Sequence, residues 1–241
     1  MSGHSKWATI RRKKGALDAK RGKMFTRLIR EITIAARQGG GDPDGNPRLR
    51  LAIDNAKAAN MPADNIERAV KKATGELEGA QIVELTYEGY GPGGVALLVE
   101  VATDNKNRTV AEMRHLLSKN GGNMGETGSV AWMFERKGLI TVKREDKTED
   151  EMMEIILEAG GDDLTTEEEF YEVTTSIESF EPVRKVLLEK KLTVENASLQ
   201  WIAKNHVPVK GEEAEKVMKL VEGIEESDDV QNVFTNADFV E

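Results

Sequence analysis

The feature that most constrains the fold is a regular alternation of strand-like and helix-like segments between residues 137 and 204. Short alternating apolar runs predict strands, and apolar residues three and four positions apart predict helices. The predicted order is strand 139–143, helix 148–159, strands 162–165 and 170–175, helix 180–190 and strand 194–202. This βαββαβ order is that of a complete ferredoxin-like unit, so residues 137–204 are predicted to form a domain of their own.

The segments on either side of that unit are each incomplete. The first contains predicted strands at 82–88 and 95–102 around the turn Gly89–Gly94, a helix at 108–119 and a strand at 129–135, which the turn Arg136-Lys137-Gly138 joins to the strand 139–142 of the inserted unit. The last contains only a helix at 212–222 and a strand at 229–235, which are too short to fold alone. Joining them predicts a discontinuous α/β domain, 80–136 plus 205–241, into which 137–204 is inserted.

The N-terminal part has a helical pattern. Apolar side chains recur at helical spacing from Phe25, three consecutive glycines end the first helix, and Asn46-Pro47 is typical of a helix start. With a third helix opening at Pro62 or Ala63, residues 23–79 are predicted to form a three-helix domain, preceded by a basic flexible arm at 1–22. The predicted fold class is therefore α+β: a three-helix domain followed by two ferredoxin-like α/β domains, one inserted in the other.

The charge distribution indicates the kind of partner. The chain has a formal net charge of −9, yet residues 1–72 hold 17 Lys and Arg against 7 Asp and Glu, a net of +10. The remaining residues carry −19. A basic head on an acidic body favours a polyanion such as nucleic acid as the partner of the head. The absence of cysteine excludes disulfides and thiolate metal sites and fits a cytoplasmic location, and no apolar run is long enough to predict a membrane helix.

The first predicted helix carries a row of basic side chains on one face. At 100° per residue these cations fall within an arc of about 100°, opposite Phe25, Ile29, Ile32 and Ala36. A phosphate backbone needs charges spaced along a line, which this row provides. The alternative is an ordinary solvated surface. The row consists of Lys20, Lys23, Arg27, Arg30 and Arg37.

The arm adds further cations and one aromatic ring. Trp7 could stack on a base or could anchor the arm to the helices. Two more cations, Lys106 and Arg108, lie in the polar segment Asp104–Thr109, which could instead cap the helix that follows. Together the predicted nucleic-acid-binding residues are Lys6, Trp7, Arg11, Arg12, Lys13, Lys14, Lys20, Arg21, Lys23, Arg27, Arg30, Arg37, Lys106 and Arg108.

Other kinds of site find little support. The three histidines, His4, His115 and His206, lack metal-ligand spacing, and no catalytic motif is present, so we predict no enzyme, no cofactor, no metal and no small-molecule substrate. The G-x-G within Gly89–Gly94 precedes a strand rather than a helix, which indicates a hairpin turn rather than a dinucleotide site. The glycine-rich segment Gly121–Gly128 is typical of a binding loop, although its ligand is not evident.

Three stretches resemble a known family. The opening GHSKWATIRRKKGALDAKRGKMFTRLIREI, the segment TYEGYGPGGVALLVEVATDNKNRT and the segment NGGNMGETGSVAWMF are similar to the YebC family, and the resemblance extends over essentially the whole sequence. It implies a helical domain followed by two α/β domains. It also implies a regulator of gene expression, acting on duplex DNA as its bacterial members are described, or on ribosomal RNA and the ribosome as its translational relatives are.

Overall fold

The computed structural model describes residues 17–144 and 147–240, with side chains from Gly22 onward. The helices are α1 (Leu17–Gly39), α2 (Pro47–Ala58), α3 (Ala63–Ala73), α4 (Lys106–Lys119), α5 (Glu149–Ala159), α6 (Ile177–Glu189) and α7 (Gly211–Glu225). The strands are β1 (Val83–Tyr90), β2 (Ala96–Thr103), β3 (Asn123–Met124), β4 (Phe134–Lys143), β5 (Asp163–Thr166), β6 (Phe170–Thr175), β7 (Val194–Ala203), β8 (Val207–Val209), β9 (Val230–Thr235) and β10 (Ala237–Phe239). The predicted α+β class, with helices first and sheets after, is confirmed.

Helices α1, α2 and α3 enclose a small core of their own. Ile32, Leu49 and Ala56 are fully buried there and belong to one apolar cluster. The turn between α1 and α2 is held by Asn46, whose side-chain oxygen accepts from the Leu49 N–H and whose amide donates to the carbonyls of Ala35 and Gly40. This side chain therefore caps α2 and fixes the end of α1 at the same time.

The first helix begins earlier than its apolar pattern predicts. Helix α1 starts at Leu17, so residues 17–22, which were expected to belong to the flexible arm, are helical in their backbone. Residues 1–16 lie outside the described part of the chain. The apolar pattern does not locate this start because the residues before Phe25 are mainly charged or small, so they leave no apolar stripe in the sequence.

The first sheet has the strand order β3-β1-β2-β9 and is antiparallel at each of its pairings. Its buried face packs on α4 and α7, where Met113, Leu117 and Leu220 join Val99 and Val101 in one apolar cluster. The order is that of a ferredoxin-like sheet in which β1, the first strand along the chain, takes the place of the third. A short parallel pair, β8 with β10, lies outside this sheet and was not predicted.

The second sheet has the order β5-β6-β4-β7. With α5 and α6 this is the regular ferredoxin-like arrangement, in which the first strand, β4, lies between the third and the fourth. Phe180 and Val183 of α6 and Met152 of α5 are fully or almost fully buried. A capping box at Thr148 and Glu151 begins α5, and Gly160 ends it in the left-handed conformation.

The contacts between Cα atoms divide the chain into two units. One comprises Met1–Phe134 with Ala203–Glu241, and the other comprises Glu135–Ile202. The finer division of the first unit into a helical domain and a discontinuous α/β domain stays a prediction, as do the exact boundaries of the insertion.

One local prediction is wrong. The sequence predicts strands at 129–135 and 139–142 around a turn at Arg136-Lys137-Gly138, but β4 runs unbroken from Phe134 to Lys143, and Ala131–Met133 is a short 3-10 helix. Gly138 pairs with Thr175 in the sheet. A Cβ atom at position 138 would collide with the side chains of Thr175 and Phe180, so the glycine allows close packing and makes no turn.

Candidate nucleic-acid interface

The basic row of α1 points at the end of another helix in the same unit. The ammonium of Lys23 donates to the Glu226 carbonyl at 2.8 Å, and the guanidinium of Arg27 donates to the Glu225 carbonyl at 2.6 Å. These carbonyls belong to the C-terminal end of α7, where main-chain acceptors are left without helical partners and carry a partial negative charge. Two of the row's cations therefore cap a helix.

Further along α1 the same row reaches the first sheet. Arg30 donates to the Ala102 carbonyl at 2.8 Å and to the Asp228 carbonyl, and its guanidinium also forms an ion pair with Asp229 at 3.0 Å. Arg37 donates to the Ile82 carbonyl at 2.8 Å, just before β1. The row thus attaches α1 along its length to the α/β part of its unit.

Asp229 is the centre of this attachment. The residue is 3% exposed, and its carboxylate accepts hydrogen bonds from the hydroxyls of Thr103 and Thr109, at 3.1 and 2.7 Å, and from Arg108 at 2.7 Å. Burial acts to raise the pKa of Asp229, but the hydrogen bonds from Thr109, Arg108 and Thr103 and the charge of Arg30 outweigh it and hold the pKa below its usual value. Asp229 is therefore ionised at neutral pH and joins α1, β2, α4 and β9.

The sequence predicts that the α1 row faces a phosphate backbone outside the protein, but in the structure the row faces another part of the same chain. Its four described members, Lys23, Arg27, Arg30 and Arg37, all donate to carbonyls within the chain. The row is opposite the apolar face as the wheel predicts, but a second part of the protein occupies that side. Whether these side chains also contact nucleic acid stays a prediction.

The remaining predicted residues fall into two groups. Lys106 and Arg108 lie in the first turn of α4 and are exposed, although Arg108 also pairs with Asp104 and Asp229. The side chain of Asn105 caps that helix by accepting from the Arg108 N–H at 3.0 Å, so the capping interpretation of this segment is confirmed. The side chains that lie outside the described part are Lys6, Trp7, Arg11, Arg12, Lys13, Lys14, Lys20 and Arg21.

The structure also shows exposed cations that the sequence prediction did not select. Arg50 and Lys57 on α2 and Arg68 and Lys72 on α3 are exposed, and within the described part of the chain none of their side chains forms a hydrogen bond or ion pair. Helical spacing could have identified Arg68 and Lys72, because they alternate with the buried Ile66 and Ala69 along α3.

A second organised region is the glycine-rich loop that follows α4. Glu88 of β1 is 6% exposed, and its carboxylate accepts from the main-chain N–H groups of Gly128, Val130 and Ala131 at 2.6, 2.7 and 2.8 Å. Burial acts to raise the pKa of Glu88, but these three hydrogen bonds outweigh it and lower the pKa. No sequence signal marked this role, because main-chain donors leave no pattern in the side chains.

Within residues 17–144 and 147–240, no cluster of His, Asp and Glu is arranged to hold a metal ion. No helix in the same described ranges is long and apolar enough to cross a membrane. The fold defines a class of protein: three helices with a core of their own, bonded through the buried carboxylate of Asp229 to an α/β sheet, in a chain that also contains a second, ferredoxin-like unit.

Comparison with known proteins identifies the family within that class. Residues 5–76 match the family described as "TACO1/YebC protein N-terminal domain", and residues 82–237 match "TACO1/YebC second and third domain". The chain belongs to the TACO1/YebC family, as its three resembling stretches predict. The residues matched cover both the helical part and both sheets.

Several relatives are similar over nearly their whole length. A protein of Chlorobaculum parvum named "Probable transcriptional regulatory protein" is 57% identical over all of this chain and 96% of its own. A protein of Prosthecochloris aestuarii with the same name is 56% identical over all of this chain and 97% of its own. The crystal structure of a conserved hypothetical protein, Aq1575, from Aquifex aeolicus is 48% identical, covers 93% of both chains and has a TM-score of 0.87.

Proposed function

We propose that this protein is a non-enzymatic nucleic-acid-binding regulator of gene expression whose basic N-terminal region contacts duplex DNA. The observation that carries the proposal is the separation of charge, +10 over residues 1–72 against −19 over the rest. A polyanion is attracted to the first part and repelled by most of the second, which orients the protein on its partner. The relatives named as probable transcriptional regulators support the regulatory part of the proposal.

The internal contacts of α1 reduce the number of cations that are free to contact nucleic acid. Since Lys23, Arg27, Arg30 and Arg37 are bonded within the chain, we assign the phosphate contacts to the cations of residues 1–21 and to the exposed ones on α2 and α3. Residues 1–21 hold seven Lys and Arg against one Asp. This segment is the main electrostatic contact in the proposal, and α1 attaches it to the rest of the protein.

The test removes four charges from that segment. Replacing Arg11, Arg12, Lys13 and Lys14 with Ala should weaken binding to a duplex and flatten the slope of log affinity against log salt by about 0.9 for each lost phosphate contact. The measurement is a fluorescence-anisotropy titration with duplex DNA at several salt concentrations.

A matched control removes four exposed lysines from the acidic part of the chain. The control replaces Lys185, Lys190, Lys210 and Lys219 with Ala and changes the net charge by the same amount. If both variants weaken binding equally, the effect is one of net charge, and the N-terminal segment is not the contact.

A second candidate function is that of a factor bound to ribosomal RNA. The observation in its favour is that residues 73–140 carry only −3, whereas residues 141–241 carry −16, so the middle of the chain can approach RNA as the head does. Lys106 is the sharpest probe of this surface, because it is exposed and no ion pair holds it among the described residues. Arg108 is less suitable on its own, since it also supports Asp229.

The two candidates predict different losses. If the middle segment faces ribosomal RNA, Lys106→Ala alone and with Arg108→Ala should reduce co-sedimentation with ribosomes and leave duplex DNA binding unchanged. A loss confined to DNA, or no loss in either assay, would contradict the ribosomal candidate. The melting temperature of each variant separates a lost contact from a weakened fold.

A further inference from the structure

Trp132 is a large aromatic side chain held at the surface. It lies in the 3-10 helix Ala131–Met133 and is 59% exposed. Tryptophan is usually buried over most of its surface, because its ring contributes more to apolar burial than other side chains do. A tryptophan left this open has a ring surface available to a partner.

The segment around Trp132 is fixed in position by several hydrogen bonds. The Glu88 carboxylate accepts hydrogen bonds from the N–H groups of Gly128, Val130 and Ala131, and the Tyr90 hydroxyl donates to the Ser129 carbonyl at 3.1 Å. A buried carboxylate is thus used to fix the main chain that leads directly into the exposed ring. Fixing the ring before binding reduces the entropy that a partner would otherwise have to offset.

Further bonds fix the ring's polar group and place a cation beside it. The indole N–H of Trp132 donates to the Ser129 carbonyl at 3.1 Å, so its one polar group is already satisfied. The Lys204 main-chain N–H donates to the Met133 carbonyl at 2.8 Å, and its ammonium donates to the Trp132 carbonyl at 3.1 Å. An exposed lysine is therefore bonded to the main chain of the residue that carries the exposed ring.

We propose that Trp132 and Lys204 form a stacking site for an unpaired nucleobase, with the ring against the base and the ammonium near its phosphate. A base offers a flat face to the ring and an anion to the lysine, which matches both members of the pair. A protein partner would more often use the indole N–H as a hydrogen-bond donor, and here that group is already bonded to the Ser129 carbonyl. The inference rests on the proposed nucleic-acid function and adds a single-stranded contact in the α/β part of the chain.

The first test is affinity for a single strand. Trp132→Ala should weaken binding of a mixed-sequence 12-nucleotide RNA roughly 5- to 150-fold, the range measured for loss of one base–aromatic stack. Trp132→Phe should retain most of the affinity, because a phenyl ring still stacks. Binding of the same sequence as a duplex should be unchanged, since its bases are not available to the ring.

Two controls distinguish stacking from damage to the fold. Trp201→Phe alters another tryptophan, one that lies beside Arg136 with 5.5 Å from the guanidinium carbon to the ring centroid, and should leave single-strand affinity unchanged. Trp132 is exposed, so Trp132→Ala should melt close to the wild type. A second measurement is direct: RNA that contains 5-bromouridine should crosslink to Trp132 on irradiation, as mapped by mass spectrometry of the peptides.

The outcomes separate this inference from the proposed function. If Trp132→Ala binds single strands as the wild type does and Trp132 forms no crosslink, while the Arg11–Lys14 variant loses affinity, the stacking site is refuted and the proposed function stands. If the wild type binds neither the single strand nor the duplex, both fall. Loss of single-strand binding in Trp132→Ala alone, with a crosslink at Trp132, supports the site.

Discussion

Two buried carboxylates in the same unit, Asp229 and Glu88, hold their surroundings by opposite means. Asp229 is surrounded by side chains: two threonine hydroxyls and two guanidinium groups that come from α1, β2 and α4. Glu88 accepts from main-chain N–H groups of three residues within one short loop. Both have a lowered pKa despite burial, so both are ionised at neutral pH.

The difference shows how far each carboxylate acts. Because the donors to Asp229 come from separate elements, loss of this carboxylate affects the attachment of α1 to the α/β part as a whole. Because the donors to Glu88 are main-chain groups of one segment, loss of this carboxylate affects that segment alone. For the same reason, the contact should persist when side chains of the segment are changed. The first carboxylate is a joint between elements, and the second is a local clamp.

The largest effect is expected at the joint. Asp229→Ala leaves the guanidinium of Arg30, whose side chain is only 16% exposed, without its carboxylate, and breaking a buried ion pair costs about 3–5 kcal/mol of unfolding free energy. Urea denaturation followed by circular dichroism measures this loss. Hydrogen exchange should also increase along α1, which Asp229 holds through Arg30.

The neighbouring Asp228 provides a matched control. It is exposed and contributes only its main-chain carbonyl to Arg30, so Asp228→Ala keeps the contact and should change stability little. Equal stability of the two variants would contradict the view of Asp229 as the joint.

A smaller and more local effect is expected at the clamp. Glu88→Gln replaces one of the two accepting oxygens with a donor, which leaves main-chain N–H groups of the loop without a partner and costs about 1–3 kcal/mol. Amide hydrogen exchange should increase at Gly128, Val130 and Ala131 while α1 stays protected. Glu126→Gln, in the same loop but exposed, is the control. Faster exchange throughout the unit would show that the clamp is not local.

Acid should gradually remove the stability that both carboxylates contribute, with a smaller effect than either substitution. A carboxyl whose pKa is lower in the folded chain adds stability that is complete above its unfolded pKa and is lost as the pH falls through the folded pKa. The ordinary values are 3.8 for Asp229 and 4.5 for Glu88, so the unfolding free energy should decline as the pH falls below about 4.5. Asp229→Asn and Glu88→Gln should each make that decline shallower. A decline of unchanged steepness in both variants would assign the acid sensitivity to other carboxyls.

The regular sheet was predictable from sequence because its signals are local. The ranges predicted for the elements of 137–204 agree with β5, β6, α5 and β7 to within one or two residues. Periodicity, the Thr148 cap and Gly160 all specify those boundaries within a few residues of the chain. The error at Gly138 arose because the reason for that glycine, the packing of Thr175 and Phe180, lies far along the sequence.

The candidate site was predictable only in part. The helical wheel correctly placed the cations of α1 opposite Ile32 and Ala36, which are buried. What the cations face could not be predicted, because the acceptors at Glu225, Glu226 and Ala102 are main-chain carbonyls that any residue would supply. The clamp at Glu88 was missed for the same reason, since its donors are main-chain N–H groups.

Because the strand order of the first sheet is permuted, β2 is synthesised long before its partner strand β9. β2 lies between β1 and β9, but β9 is the next-to-last strand of the chain and is translated after the whole inserted unit. At 5–20 residues per second, the edge of β2 waits about 6–25 s for its partner. During that interval Leu97, Val99 and Val101 also lack the cover that α7 later provides. The nascent chain therefore has an unpaired, apolar strand edge until β9 has been made, and this edge is a binding site that a chaperone at the exit tunnel could use during that interval.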